Sequence, residues 1–158
     1  MRPKAALWND KQDEHGPFDI IGDVHGCGEE LEALLARLGY VEARLDCDNP
    51  LWGDRTFVHP EGRRAVFLGD LVDRGRRILQ AVRLVRNMVV HGSALCVPGN
   101  HDVKLVRKLR GNNVQITHGL AETLAEIDAM PVEVRGTFRT DRAYAPDFSV
   151  IWASTVNR

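Results

Sequence analysis

Apolar positions along the chain follow two periods in turn. Phe18 to Gly22 is a short apolar run with β-branched Ile20 and Ile21, and Leu31, Leu34, Leu35 and Leu38 then recur at i, i+3, i+4 and i+7. That sequence of patterns predicts a strand, a glycine turn and a helix. Arg64 to Leu68 (RAVFL), followed by a helix from Ile78 to Val90 with Ile78, Val82, Val85 and Val89 on one face, repeats the unit. Ala94 to Val97 and a helix carrying Leu105, Val106 and Leu109 repeat it again. Successive βα units with right-handed crossovers predict an α/β fold, a largely parallel sheet flanked by helices with the turns after its strands along one rim. Thr56 to His59 is expected to pair with the strand from Arg64 as a hairpin through Pro60-Glu61-Gly62. Residues 1–17 read as a linker or tether, 18–127 as the domain, and 128–158 as a tail with no definite element.

Composition narrows the classes. A chain of 158 residues buries roughly 70% of its unfolded surface, so a metal here would serve chemistry rather than hold a core. The formal charge is −1 and the pI about 6.6, which excludes a protein that coats nucleic acid through overall charge. The charge is nonetheless segregated: residues 10–61 hold 13 acids and 4 bases, residues 63–110 hold 3 acids and 11 bases. The basic half is expected to face something anionic. Cys27, Cys47 and Cys96 are scattered without CxxC spacing, which indicates neither a disulfide framework nor a structural zinc site. No signal segment or membrane-length apolar run is visible, so the expectation is a cytoplasmic protein without membrane contact.

The three strand-to-helix turns all carry metal-ligand residue types: Asp23 and His25 in GDVHG, Asp70, Asp73 and Arg74 in GDLVDRG, Asn100, His101 and Asp102 in GNHD. Residues two apart in extended backbone point to one side, so Asp23 and His25 are expected to share one cation. Asp70, with two oxygens, suits a bridge between two cations about 3.5–4 Å apart, and Asn100 offers a neutral oxygen to the second. Arg74 presents a planar donor fork that matches phosphate. His101 suits proton donation to a leaving oxygen, with Asp73 holding its imidazole. Arg76 and Arg77 are further candidates for substrate contact. Arg83 and Arg86 are read as a solvated helix face, Lys104, Arg107, Lys108 and Arg110 as facing water, and His15, His59 and His91 as surface residues. Cys27 is read as a small packed residue, and Trp8, Trp52 and Trp152 as too dispersed for a stacking platform.

GDVHG, GDLVDRG and GNHD in this order resemble the binuclear metallophosphoesterase (calcineurin-like) superfamily. DEHGPFDIIGDVHGC, LEALLARLGY and KLVRKLRGNNVQITHGLAETLAEI resemble, within it, the phosphatase module of bacterial polynucleotide kinase-phosphatase, over roughly Leu7 to Ile127. The resemblance implies a layered metallophosphoesterase sheet and two divalent ions, manganese first, with nickel, iron or cobalt as alternatives. Asp23, His25, Asp70 and Asn100 would be the ligands, and Arg74 and His101 the substrate partners. It further implies hydrolysis at 3′-phosphate or 2′,3′-cyclic phosphate ends of RNA or DNA, with kinase and ligase-like domains in a full-length relative. A protein Ser/Thr phosphatase and a dinucleoside polyphosphate hydrolase share the three motifs, and a remnant that only binds metal is the non-enzymatic alternative. The family's later His-Ala-Gly and Gly-His ligand segments do not appear. A truncated or frame-altered reading after about Ile127, with impaired activity, is therefore expected.

Overall fold

The computed structural model describes residues 14–46 and 50–135. Within them run β1 (Phe18–Ile21), α1 (Gly28–Arg37), β2 (Val41–Arg44), β3 (Arg55–Val58), β4 (Arg64–Phe67), α2 (Ile78–His91), β5 (Ala94–Cys96), α3 (Asn100–Leu109) and α4 (Leu120–Asp128). The three predicted βα units are present, and their strands form a parallel sheet in the order β1-β4-β5. Ile20 stands level with Val66, and Val66 with Leu95. Alternation along the strands turns Ile21, Ala65, Phe67, Ala94 and Cys96 into the core. The long helix α2 is the core's centre, packing against α1, β3, β5 and α4. Its Ile78, Val82, Val85 and Met88 are each 2% exposed or less, and burying each such side chain contributes roughly 1.5–3 kcal/mol. No helix among the described residues is long and apolar enough to cross a membrane.

The predicted pairing of Thr56–His59 with the strand from Arg64 is overturned. β3 instead runs antiparallel to β2, with Val41 opposite Val58 and Arg44 opposite Arg55. Both edges of β4 are taken by β1 and β5, so the Pro60-Glu61-Gly62 turn joins two sheets rather than two arms of a hairpin. α4, which the periodicity did not announce, closes the start of α2: Glu126 accepts the N–H groups of Ile78 and Leu79, both at 2.9 Å. These are orphan donors of a first helical turn, and an anion is favoured there.

Charge segregation resolves inside the molecule. Arg63 forks onto Asp19, Arg64 pairs with Glu14, and Arg77 Nε donates to Glu29 Oε1 at 2.9 Å. Three residues of the basic half therefore face the chain's own acidic half. Arg83 and Arg86 are not a solvated face: Arg83 Nε donates to the Leu51 carbonyl at 2.6 Å, and Arg86 lies 4.9 Å over the buried Trp52 ring. Both helix positions meet the segment leading into β3. His59 is not a free surface residue either, since its ring bridges the Leu38 carbonyl and the Glu61 N–H and packs edge-on against Tyr40. Cys27 is exposed rather than packed, because it precedes α1 on the rim. Lys104 donates to Thr117, while Arg107, Arg110, His15 and His91 are exposed. Trp8, Cys47 and Trp152 lie outside the described residues.

Candidate metal centre

β1, β4 and β5 end side by side at Ile21, Phe67 and Cys96, so the turns that follow converge on one edge of the sheet. Asp23, His25, Asp70, Asp73 and Arg74 all have positive φ, between 44° and 73°. Such backbone is costly for residues with a Cβ and persists where the surroundings impose it. The imposing contacts are short and mutual. The Asp70 and Leu71 carbonyls accept the N–H groups of His25 and Gly26, and the His25 carbonyl accepts that of Gly75, each at 2.8 Å. Gly75 lies against the backbone of Gly26, and Gly99 against the Asp70 carboxylate, so closely that a Cβ at either glycine would collide. Close approach of three backbones is what these glycines permit.

The side chains of His25, Asp70 and His101 meet at this edge, with one ligand atom from each within 4.8 Å of the others. His25 Nδ1 lies 3.1 Å from the Val72 carbonyl. An acceptor there assigns the ring proton to Nδ1 and turns Nε2 outward as a lone-pair donor. Asp70 Oδ1 accepts the backbone N–H of His101 at 2.9 Å, which ties the second turn to the start of α3. His101 Nδ1 donates to Asp73 Oδ2 at 2.7 Å, and its Nε2 is 3.5 Å from the Arg74 guanidinium. The two imidazoles stand edge to face with centroids 4.8 Å apart. Asp73 itself is 0% exposed. An imidazole nitrogen beside a carboxylate is a donor set that suits divalent metal ions, so the residues present fit such an ion.

Asp102 stitches the same edge from below. Its carboxylate accepts the N–H groups of Leu71 and Gly99, both at 2.9 Å, and burial pushes its pKa up to about 6. Asp23 does not join the three-residue group. The expectation that it shares a side with His25 assumed extended backbone, and both residues are left-handed. Asn100 opens α3 as an exposed first residue, Arg76 is exposed, and Arg77 is turned to Glu29 on α1. Sequence reasoning missed Thr123 and Gly119, which back the Asp73–Arg74 turn from α4. The only signal was that THGLAET falls within the resembling segment.

With this geometry in place, comparison with known proteins becomes informative. The calcineurin-like phosphoesterase model matches residues 16–149. The chain belongs to the calcineurin-like phosphoesterase family. The match extends past Ile127, where the sequence reading ended the domain. Within the family, the chain is 48% identical over 118 residues to an asymmetrical bis(5′-nucleosyl)-tetraphosphatase, PrpE, of Halalkalibacterium halodurans, covering 75% of this chain and 44% of the relative. The PrpE protein of Anoxybacillus flavithermus is 42% identical over 123 residues, covering 78% and 46%, and that of Bacillus cereus is 41% identical over 115, covering 72% and 43%. The chain thus spans less than half the length of these relatives. These relatives are named as bis(5′-nucleosyl)-tetraphosphatases and not as polynucleotide kinase-phosphatases, so the finer resemblance is corrected while the superfamily stands. The motifs are shared across the superfamily, which is why they do not separate its branches.

Proposed function

We propose that this chain carries the metal-binding edge of a hydrolase that cleaves a phosphoanhydride bond in dinucleoside tetraphosphates. The observation that carries the reading is the convergence of His25, Asp70 and His101 on one sheet edge, and the PrpE relatives support the substrate class. His25 and Asp70 would hold divalent ions, manganese first, with Asp23 and Asn100 completing the set from the neighbouring turns. Bound ions would supply Lewis-acid polarisation of a phosphoryl oxygen. Arg74, exposed at the rim beside His101, would take phosphate oxygens through its planar fork. His101, fixed by Asp73 through Nδ1, would exchange a proton with the leaving oxygen through Nε2. Water adds to phosphorus as the anhydride P–O bond breaks, leaving one nucleoside triphosphate and one nucleoside monophosphate.

The test is product analysis by ion-exchange chromatography after incubation with manganese and a dinucleoside tetraphosphate, beside a 3′-phosphorylated oligonucleotide. The expected result is release of the tri- and monophosphate, a slower reaction or none on the oligonucleotide, and loss of the activity in Asp70→Asn. Equal rates for wild type and Asp70→Asn would contradict the site, and faster cleavage of the oligonucleotide would contradict the substrate class.

A further inference from the structure

One buried polar side chain at this edge lies 50 residues away in the chain from the group it touches. The Thr123 hydroxyl on α4 donates to Asp73 Oδ1 at 2.6 Å and accepts the backbone N–H of the same residue at 3.0 Å. Both residues are 0% exposed. The other Asp73 oxygen accepts His101 Nδ1–H. A carboxylate taken wholly out of water needs a donor at each oxygen, and the threonine and the histidine supply one apiece. A threonine is suited to this, since its β-branch restricts χ1 and aims the hydroxyl. α4 is also seated hard on the turn: a Cβ at Gly119, its N-cap, would come within 2.5 Å of the Arg74 nitrogen.

We propose that Thr123 is a positioning residue, whose hydroxyl locks the rotation of the Asp73 carboxylate so that one fixed oxygen orients the His101 ring. The consequence for turnover rests on the hydrolase reading given above; the consequence for the His101 ring does not. Without the hydroxyl, Oδ1 is bare, the carboxylate turns about its terminal torsion, which is soft for aspartate, and His101 loses its single orientation.

Thr123→Val removes the hydroxyl at nearly constant volume, and Thr123→Ser keeps it while removing the methyl group. Proton–nitrogen correlation spectra of the metal-free chain should show a slowly exchanging His101 Nδ1–H in wild type and Thr123→Ser, and its loss in Thr123→Val. Where turnover is measurable, Thr123→Val should lower kcat about tenfold, part of the roughly 10²–10⁴-fold that general acid–base catalysis contributes, with KM within about twofold, and Thr123→Ser should restore most of the rate. Retention of the Nδ1–H signal in Thr123→Val overturns the proposal, as does an equal loss in Thr123→Ser. If Thr123→Val does not fold, Thr123→Ala and Thr123→Ser are compared by the same spectra, with the same outcomes. An inactive wild type would sink the hydrolase reading alone and leave the spectra to decide on Thr123.

Discussion

Gly75 has no room for a methyl group, because a Cβ there would overlap the Gly26 and His25 carbonyls. Gly75→Ala must push the first and second turns apart. It should cost about 1–3 kcal/mol, as overpacking does, and weaken manganese binding; thermal unfolding with and without manganese checks both, and an unchanged midpoint shift on adding metal would contradict the role given to the contact. At this scale the site was partly legible. Asp70, Asp73, Arg74 and His101 could be read because each sits in a glycine-bounded turn directly after a strand, where topology alone brings them to one edge. The placing of Asp23 was not legible, since strand alternation stops at Ile21 and the turn beyond it is left-handed. Thr123 could not be read at all: its meaning lies in a contact across 50 residues, and a threonine in a helix is otherwise unremarked.

Among the elements, α4 matters most for what it caps. Arg77 provides no side-chain cap to α2, and the Glu126 carboxylate takes that place from another helix. Glu126→Ala should therefore cost about 0.5–2 kcal/mol, the range of lost caps, seen as a lower midpoint in thermal unfolding. β1 carries a pH-sensitive contact. The Arg63 fork on Asp19, helped by the Tyr40 hydroxyl, holds the Asp19 carboxyl below its ordinary value against the opposing effect of burial. A carboxyl whose folded pKa is lowered contributes stability above its unfolded pKa and loses it as pH falls through the folded one. Asp19→Asn should thus destabilise the chain near neutral pH and much less at about pH 3, as measured by urea unfolding at the two values; an equal effect at both would contradict the ion pair. The three βα units were readable because each couples a short apolar run to a helical repeat. The partner of β3 was not, because Thr56 and Phe57 are buried against either neighbour and only the occupied edges of β4 decide between them.

At the scale of the molecule, among the described residues one face of the parallel sheet is covered and the other is open. Ile20, Leu68 and Val97 are 70%, 52% and 48% exposed, beside the partly buried Val66 and Leu95. Parallel sheets are ordinarily covered on both faces, and an apolar patch of this kind favours association. Ile20→Thr combined with Val97→Thr should reduce concentration-dependent association in sedimentation velocity, and unchanged sedimentation would contradict that. The charge pattern, read from sequence as facing something anionic, is answered in part within the fold by pairs such as Arg63–Asp19 and Arg77–Glu29. Arg74 stands exposed on the rim where three turns meet. Calorimetric titration of the metal-free chain with manganese tests that rim most directly. Heat of binding is expected in wild type and in Asp54→Asn, which alters only a surface pair with Arg44, and is expected to vanish in Asp70→Asn. Binding of equal strength in wild type and Asp70→Asn would contradict the metal centre.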